Sequence, residues 1–468
     1  MRVEKDFLGQ AELADDFPFG IHTWRAAHNF AFGAEHLRPD LFEGLLLVKK
    51  AAALANLRAG LLEERLARAI ADAADEALAD VAAFLPPIHP LQGGAGTSSN
   101  MAANELLANL ALRRLGLPFG RYDALSPLDH VNLSQSTNDA YPTAVRIALL
   151  RGLRRLHQGA EELLAALLAK EKEFAPLLKV GRTELQDAMP IGLGQEFGAW
   201  AEAVGRFRWR LDKAAEWLRE VNLSGTAVGT GVNADRRYAA FAIAILRDLC
   251  REPLTLARNL VDGTQNVDAV VEVSGLVRTG AVAVKKIAAD LRLLSSGPHC
   301  GLGELRLPPL QAGSSIMPGK VNPVMLEAAE QVCLQVMGGD AVVAAAASES
   351  NLELPQFLPL IAHVLLTNFE TFAALCGRLA ATVAGITADA ERLAALLDHS
   401  LAAATLLAPL LGHETVAELV RQAGAERRPV LALVRERRLI PEDQLARLLT
   451  PEVLAAPGLL FPRDGDER

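Results

Sequence analysis

Cysteine, aromatic residues and clustered positive charge are all scarce in this chain. Four cysteines, Cys250, Cys300, Cys333 and Cys376, occur in 468 residues. They form no Cys-x-x-Cys pair, and no histidine cluster has metal-ligand spacing, so a disulfide scaffold and a metal site are both excluded. Buried free thiols are expected instead. Aromatic residues supply only 5% of the chain although 51% of it is hydrophobic. Leu, Ala and Val carry that share, which suits packed helices better than sheets. With a net charge of −9 and no basic stripe, the chain is not read as a nucleic-acid binder. The opening "MRVEKDFLGQAELADDF" lacks an apolar core, so no signal peptide is expected. No uninterrupted apolar run approaches the roughly 20 residues of a membrane span, so no membrane partner is expected. A soluble, cytoplasmic protein is the reading.

What is present is length and helical periodicity. A chain of 468 residues exceeds one ordinary domain. Residues 1–137 alternate short helical stretches with polar loops, and Leu41 to Phe84 carries a long amphipathic pattern broken near Gly60 and ended by "LPPIHP". Residues 138–390 change character. A helix opened by Pro142 places Leu149, Leu153, Leu156, Ala160, Leu163 and Leu167 at heptad steps. Similar long patterns occupy 190–222, 262–296, 324–346 and the stretch after Pro355. Helices this long are bundle components. A chain this apolar hides more surface than its own fold can cover, so a homo-oligomer is expected. Residues 391–468 read as a small helical C-terminal domain, giving an all-α protein of three domains.

Polar loops interrupt these helices. "QAGSSIMPGKVNPV" has five residues between Gly313 and Gly319, and Val321 follows Lys320. A phosphate-binding P-loop needs four residues there and a hydroxyl after the lysine, so that reading fails. A plain linker is the competing reading. However, the stretch runs into a helix near Pro323, and backbone N–H groups at such a start hold anions. Lys320 and Asn322 add a charge and an amide donor, a set that fits a carboxylate. "GGAGTSSN" offers Thr97, Ser98 and Asn100, "SQSTND" offers Ser136, Thr137 and Asn138, and "GRTELQDAMP" offers Thr183, Glu184 and Gln186. Singly, each reads as a capped helix start. As a set they suit a small dicarboxylate.

The segments "GAGTSSNMAANELLAN", "DHVNLSQSTNDAYPTAVRIA", "VGRTELQDAMPIGLGQEF", "GTAVGTGVN" and "AGSSIMPGKVNPV" together resemble the aspartase/fumarase superfamily, in the right order. The resemblance implies an all-α, three-domain fold. It also implies a homotetramer with a twenty-helix core and active sites drawn from three subunits. By the same resemblance Ser314 is the base that takes a proton from the carbon beside a carboxylate. Thr97, Ser136, Thr137 and Ser315 would hold that carboxylate as its charge spreads into an aci-carboxylate. Thr183, Lys320 and Asn322 would hold the other one, and Asn138 would lie near the leaving group. No cofactor is implied, and the product is fumarate.

Two leaving groups compete. Thr137 in "SQSTND" resembles the members that expel ammonia from L-aspartate; those that remove or add water, with malate as substrate, tend to a second serine. The stretch "SPLD" stands where the hydratases carry an accessory His-Pro-Asn-Asp site, which also favours ammonia; another amine remains open. Glu184 departs from the family's histidine or glutamine. An ionised Glu184 beside a substrate ammonium gains roughly 4 kcal/mol at about 4 Å and an effective dielectric near 20, before desolvation. Serving water loss near neutral pH would instead require its pKa to rise by about 2–3 units. Glu327 matches the usual partner of the family's histidine, and two adjacent glutamates would share a proton.

Overall fold

The structure, a computed structural model, describes residues 1–400 and 402–454. The fold is all-α. Among the described residues five helices run 25 residues or more: Thr137–Glu173, Leu193–Leu218, Asp268–Leu294, Val324–Ser348 and Leu358–Ala384. These are the long patterns expected from the sequence, and every member of the heptad seam from Leu149 to Leu167 is buried. Two compact units divide the chain. One takes residues 1–158, 209–279 and 334–373, and the other takes 159–208, 280–333 and the chain from 374 onward. The boundaries fall inside the five long helices.

The helix expected to open at Pro142 starts five residues earlier, at Thr137. A proline inside a helix has no N–H for the carbonyl four residues back. Asn222 fills that gap: its Nδ2 donates to the Asn138 carbonyl at 2.9 Å. The 41–84 pattern resolves into helices Pro39–Ala59 and Glu64–Ala79, separated at Gly60 in a left-handed cap at φ +76°.

Strands are short and paired in twos. The periodicity had marked none of them. Arg2–Asp6 pairs with Gly9–Leu13, and Leu178–Thr183 pairs with Gln186–Gly192, both antiparallel. The second hairpin turns through Glu184 and Leu185, at φ +55° and +64°. Such turns favour Asn and Gly, so the usual turn signal was missing. In the second unit, Ala390–His399, Val430–Glu436 and Glu442–Leu448 are the short helices expected near the C-terminus. Leu419, Leu433, Val434 and Leu445 pack there in one apolar cluster. The last stretch of the expected 391–468 domain, from 455 onward, lies outside the described residues.

All four cysteines are free; Cys250, Cys333 and Cys376 are buried, whereas Cys300 is exposed, contrary to expectation. Helices Val324–Ser348 and Leu358–Ala384 reach the length and mean hydropathy of membrane spans, at 1.2 and 1.4. Both are apolar on average and not continuously: Glu327, Glu330 and Asp340 interrupt the first, and Asn368 and Glu370 the second.

Candidate active site

In the first unit, two helix starts meet. Gly96 adopts φ +94°, and a Cβ there would stand 2.5 Å from the Tyr141 ring, so only glycine lets this turn seat. The turn delivers Thr97 as the first residue of helix Thr97–Arg114, its Oγ1 donating to the Gly94 carbonyl at 2.7 Å. One turn on, Asn100 donates from Nδ2 to Thr137 Oγ1 at 3.1 Å, at the start of helix Thr137–Glu173. Both helices present the positive ends of their dipoles here, which favours an anion.

Ser136 caps the second helix reciprocally. Its Oγ accepts from Asn138 N at 3.2 Å, while its own N–H donates to Asp139 Oδ1 at 2.9 Å. Asp139 is fully buried, and its other oxygen accepts N–H bonds from Ser224 and Thr226, both at 3.0 Å. Those two residues sit at φ +76° and +56°, a conformation that costs of order 1–3 kcal/mol each for side chains like theirs. Asp139 thus pins the strained "LSGTAVGTGVN" loop. Burial pushes its carboxyl up to about 6, against the opposing pull of the N–H bonds and of Lys49. Asn138 donates from Nδ2 to the Ala227 carbonyl of that loop at 2.7 Å.

Lys49 escaped the sequence reading. It is completely buried, and its ammonium donates to Asn132 Oδ1 and Gln135 Oε1, both at 2.9 Å. Burial holds its amine down to about 7, with Asp139 opposing. The available signal was a lysine inside the largely apolar "LLLVKKAAALANL", with Asn56 seven residues on the one other buried polar group of that stretch.

The second unit carries the remaining residues on two segments. Thr183 and Glu184 stand at the exposed tip of the hairpin. Its base is anchored by buried charges: Lys179 pairs with Glu196 at 2.8 Å and with Glu304 at 2.9 Å, and Arg182 pairs with Glu304 at 2.7 Å. The Ser314 loop closes on itself, with Gly313 N donating to the Lys320 carbonyl at 2.8 Å and Asn322 Nδ2 to the Gly313 carbonyl at 2.9 Å. A Cβ on Gly313 would meet the Lys320 oxygen at 2.7 Å, so this closure requires glycine. Two backbone N–H groups, of Ile316 and Met317, donate to Ser314 Oγ at 3.2 and 3.1 Å. Ser314 is half-buried, while Ser315 and Lys320 are exposed.

Thr97, Ser136, Thr137 and Asn138 therefore come together in one unit. Ser314, Ser315, Lys320 and Asn322 share one loop of the other. Among the described residues the Glu184 side chain makes no hydrogen bond or ion pair. Glu327, in the first turn of Val324–Ser348, helps to keep Arg292 charged beside the Arg292–Glu330 pair at 2.5 Å. The "SPLD" stretch leads into a π-helical turn, Pro127–Val131, capped by Ser126 Oγ. Among the described residues no group of acidic, cysteine or histidine side chains could hold a metal.

An all-α chain with a serine–lysine loop at a long helix's start and hydroxyls at two further helix starts has the parts of a fumarate-type lyase. Residues 9–338 match the lyase family, and residues 404–456 match the fumarase C C-terminus. The chain belongs to the aspartase/fumarase superfamily of lyases. Aspartate ammonia-lyase from Pseudomonas aeruginosa is 44% identical over 463 residues, covering 98% of both chains. That from a Bacillus species is 41% identical over 466 residues, again covering 98% of both. A fumarate lyase:delta crystallin from Brucella melitensis, solved bound to cobalt, superposes with a TM-score of 0.94 at 45% identity, covering 97% of this chain and 100% of that one. Class II fumarase from Schistosoma mansoni superposes at 0.90 with 30% identity, covering 96% and 98%.

Proposed function

We infer that the protein is an aspartate ammonia-lyase, catalysing reversible anti elimination of ammonia from L-aspartate to give fumarate. The observation that carries this is the match, at 41–44% identity over nearly the whole chain, to bacterial proteins of that name. Thr137 in "SQSTND" agrees with it.

We further propose these roles. Ser314, as alkoxide, takes a proton from the carbon beside one carboxylate. The electron pair spreads into that carboxylate as an aci-carboxylate, and the C–N bond then breaks. Because the amine enters as an ammonium, it leaves as neutral ammonia and needs no further proton at that step. Ser314 afterwards returns its proton to solvent. A serine is a weak base at its free pKa and must be activated. The N–H groups of Ile316 and Met317 already point at its oxygen, the arrangement that stabilises an oxyanion. Thr97, Ser136, Thr137 and Ser315 hold the carboxylate beside the carbanion, and Thr183, Lys320 and Asn322 hold the other. Asn138 and Glu184 face the departing amine.

We also propose a homotetramer with shared active sites; Thr183 and Glu184, exposed at a hairpin tip, support it. So does helix Val324–Ser348, whose Leu334 and Val342 are exposed within the chain. The likeness to a class II fumarase favours water as a second reading for the leaving group. Offering the purified protein L-aspartate and L-malate separately, and following fumarate absorbance, decides between them. Fumarate from aspartate is expected; fumarate from malate alone would overturn the assignment.

A further inference from the structure

A chain of hydrogen bonds runs from Lys49 to Thr137. Lys49 Nζ donates to Asn132 Oδ1 at 2.9 Å, and Asn100 Nδ2 donates to that same oxygen at 3.3 Å and to Thr137 Oγ1 at 3.1 Å. Asn104 Nδ2 adds a third donor to Asn132 Oδ1 at 3.1 Å. Lys49, Asn100, Asn104 and Thr137 are all buried.

The direction of every bond in this chain follows from one group. Lys49 Nζ stands 2.9 Å from two amide oxygens, Asn132 Oδ1 and Gln135 Oε1, and as amine or ammonium it keeps at least two N–H donors for them. The amide of Asn132 must therefore turn its oxygen toward Lys49. That oxygen in turn obliges Asn100 to present its NH2, since an amide oxygen in that place would face another oxygen. The same NH2 reaches Thr137 and occupies a lone pair of its hydroxyl. The Thr137 hydrogen is then free to point away from the protein network. A threonine so held donates to an anion and does not compete with it for hydrogen.

We propose that Lys49 is a positioning residue which, through Asn132 and Asn100, sets the Thr137 hydroxyl as a donor toward the substrate carboxylate. This rests on the reading that Thr137 holds that carboxylate. It adds a specific cause for a lysine inside a helix core: its N–H donors set the direction of a relay, and it touches no substrate.

A double-mutant cycle on the full-length enzyme tests it, using kcat/KM for L-aspartate and the inhibition constant of succinate as an unreactive dicarboxylate. Thr137→Val alone is expected to weaken both by about tenfold or more, in the range of one hydrogen bond to a charged group. Normal values for this variant would sink the carboxylate reading itself. Lys49→Met is expected to weaken both about tenfold in the parent, yet less than twofold in the Thr137→Val background. Equal losses in the two backgrounds, or no loss in the parent, would overturn the relay, because a merely structural lysine would act alike in both. Should Lys49→Met fail to fold by circular dichroism, Asn100→Asp enters the same cycle. Its carboxylate would accept the Thr137 hydrogen and reverse the bond, and the same non-additive pattern is required.

Discussion

Two hydroxyl groups of this chain, on Thr137 and on Ser314, live in opposite surroundings. Thr137 is buried at a helix start, bonded by Asn100 and backed by Lys49, Asn132 and the capping pair of Ser136 and Asp139. Ser314 sits half-buried on a loop whose neighbours Ser315, Ile316, Met317 and Lys320 are exposed. That loop is held by bonds local to itself. The contrast matches two tasks. A group that only binds gains from being fixed in advance, since its ordering cost is met during folding. A group that must take up a proton and release it needs access, together with donors aimed at the charge it develops. Damage to the first region should therefore show in stability and affinity, and damage to the second in turnover alone.

The largest effect should come from Ser314→Ala. Turnover of L-aspartate is expected to fall at least about a thousandfold, in the range seen when a nucleophile or oxyanion contact is removed. Its melting temperature should stay within a degree or two of the parent, because a loop serine contributes little to packing. A large loss of melting temperature would break the comparison. Asp139→Ala should do the reverse. Removing the acceptor of three N–H bonds, two of them buried, is expected to cost about 3 kcal/mol of stability by denaturant titration. Glu184→Gln should be milder, lowering kcat/KM for L-aspartate about tenfold with stability unchanged; identical kinetics would remove Glu184 from the mechanism.

A further effect concerns pH. Lys49 is held down to about 7 in the folded chain against an ordinary 10.5. Between those values the unfolded chain carries more protons, so this group makes stability rise with pH across that window. Asp139 is raised to about 6 from 3.8, so between those values the folded chain carries more protons and stability falls as pH rises. Lys49→Met should flatten the upper window and leave the lower slope in place; an unchanged slope above pH 7 would contradict the burial argument.

Much of this was legible before the structure. Heptad spacing gave the long helices because burial along a seam is a periodic demand, and Leu149 through Leu167 obey it. The loop carrying Ser314 announced itself through glycine, proline, hydroxyl and cation in one stretch. The Thr183–Glu184 hairpin did not, since a turn through Glu184 and Leu185 uses residues that rarely adopt positive φ. Nor did the start at Thr137, because Pro142 reads as a helix opening unless Asn222, 80 residues later, is known to serve the freed carbonyl. Lys49 stayed hidden for the same reason. Its partners Asn132 and Gln135 come from a different segment, and pattern within one helix cannot report them.

The proton is where the account is most exposed. In deuterated water, the wild-type enzyme working on fumarate and ammonia should place one deuterium on the carbon beside the carboxylate of the aspartate it forms, read by NMR. Ser314→Ala, still folded and still binding succinate, should form none above background. If that variant delivers deuterium to this carbon at the parental rate, the proton does not travel through Ser314 and the assignment fails.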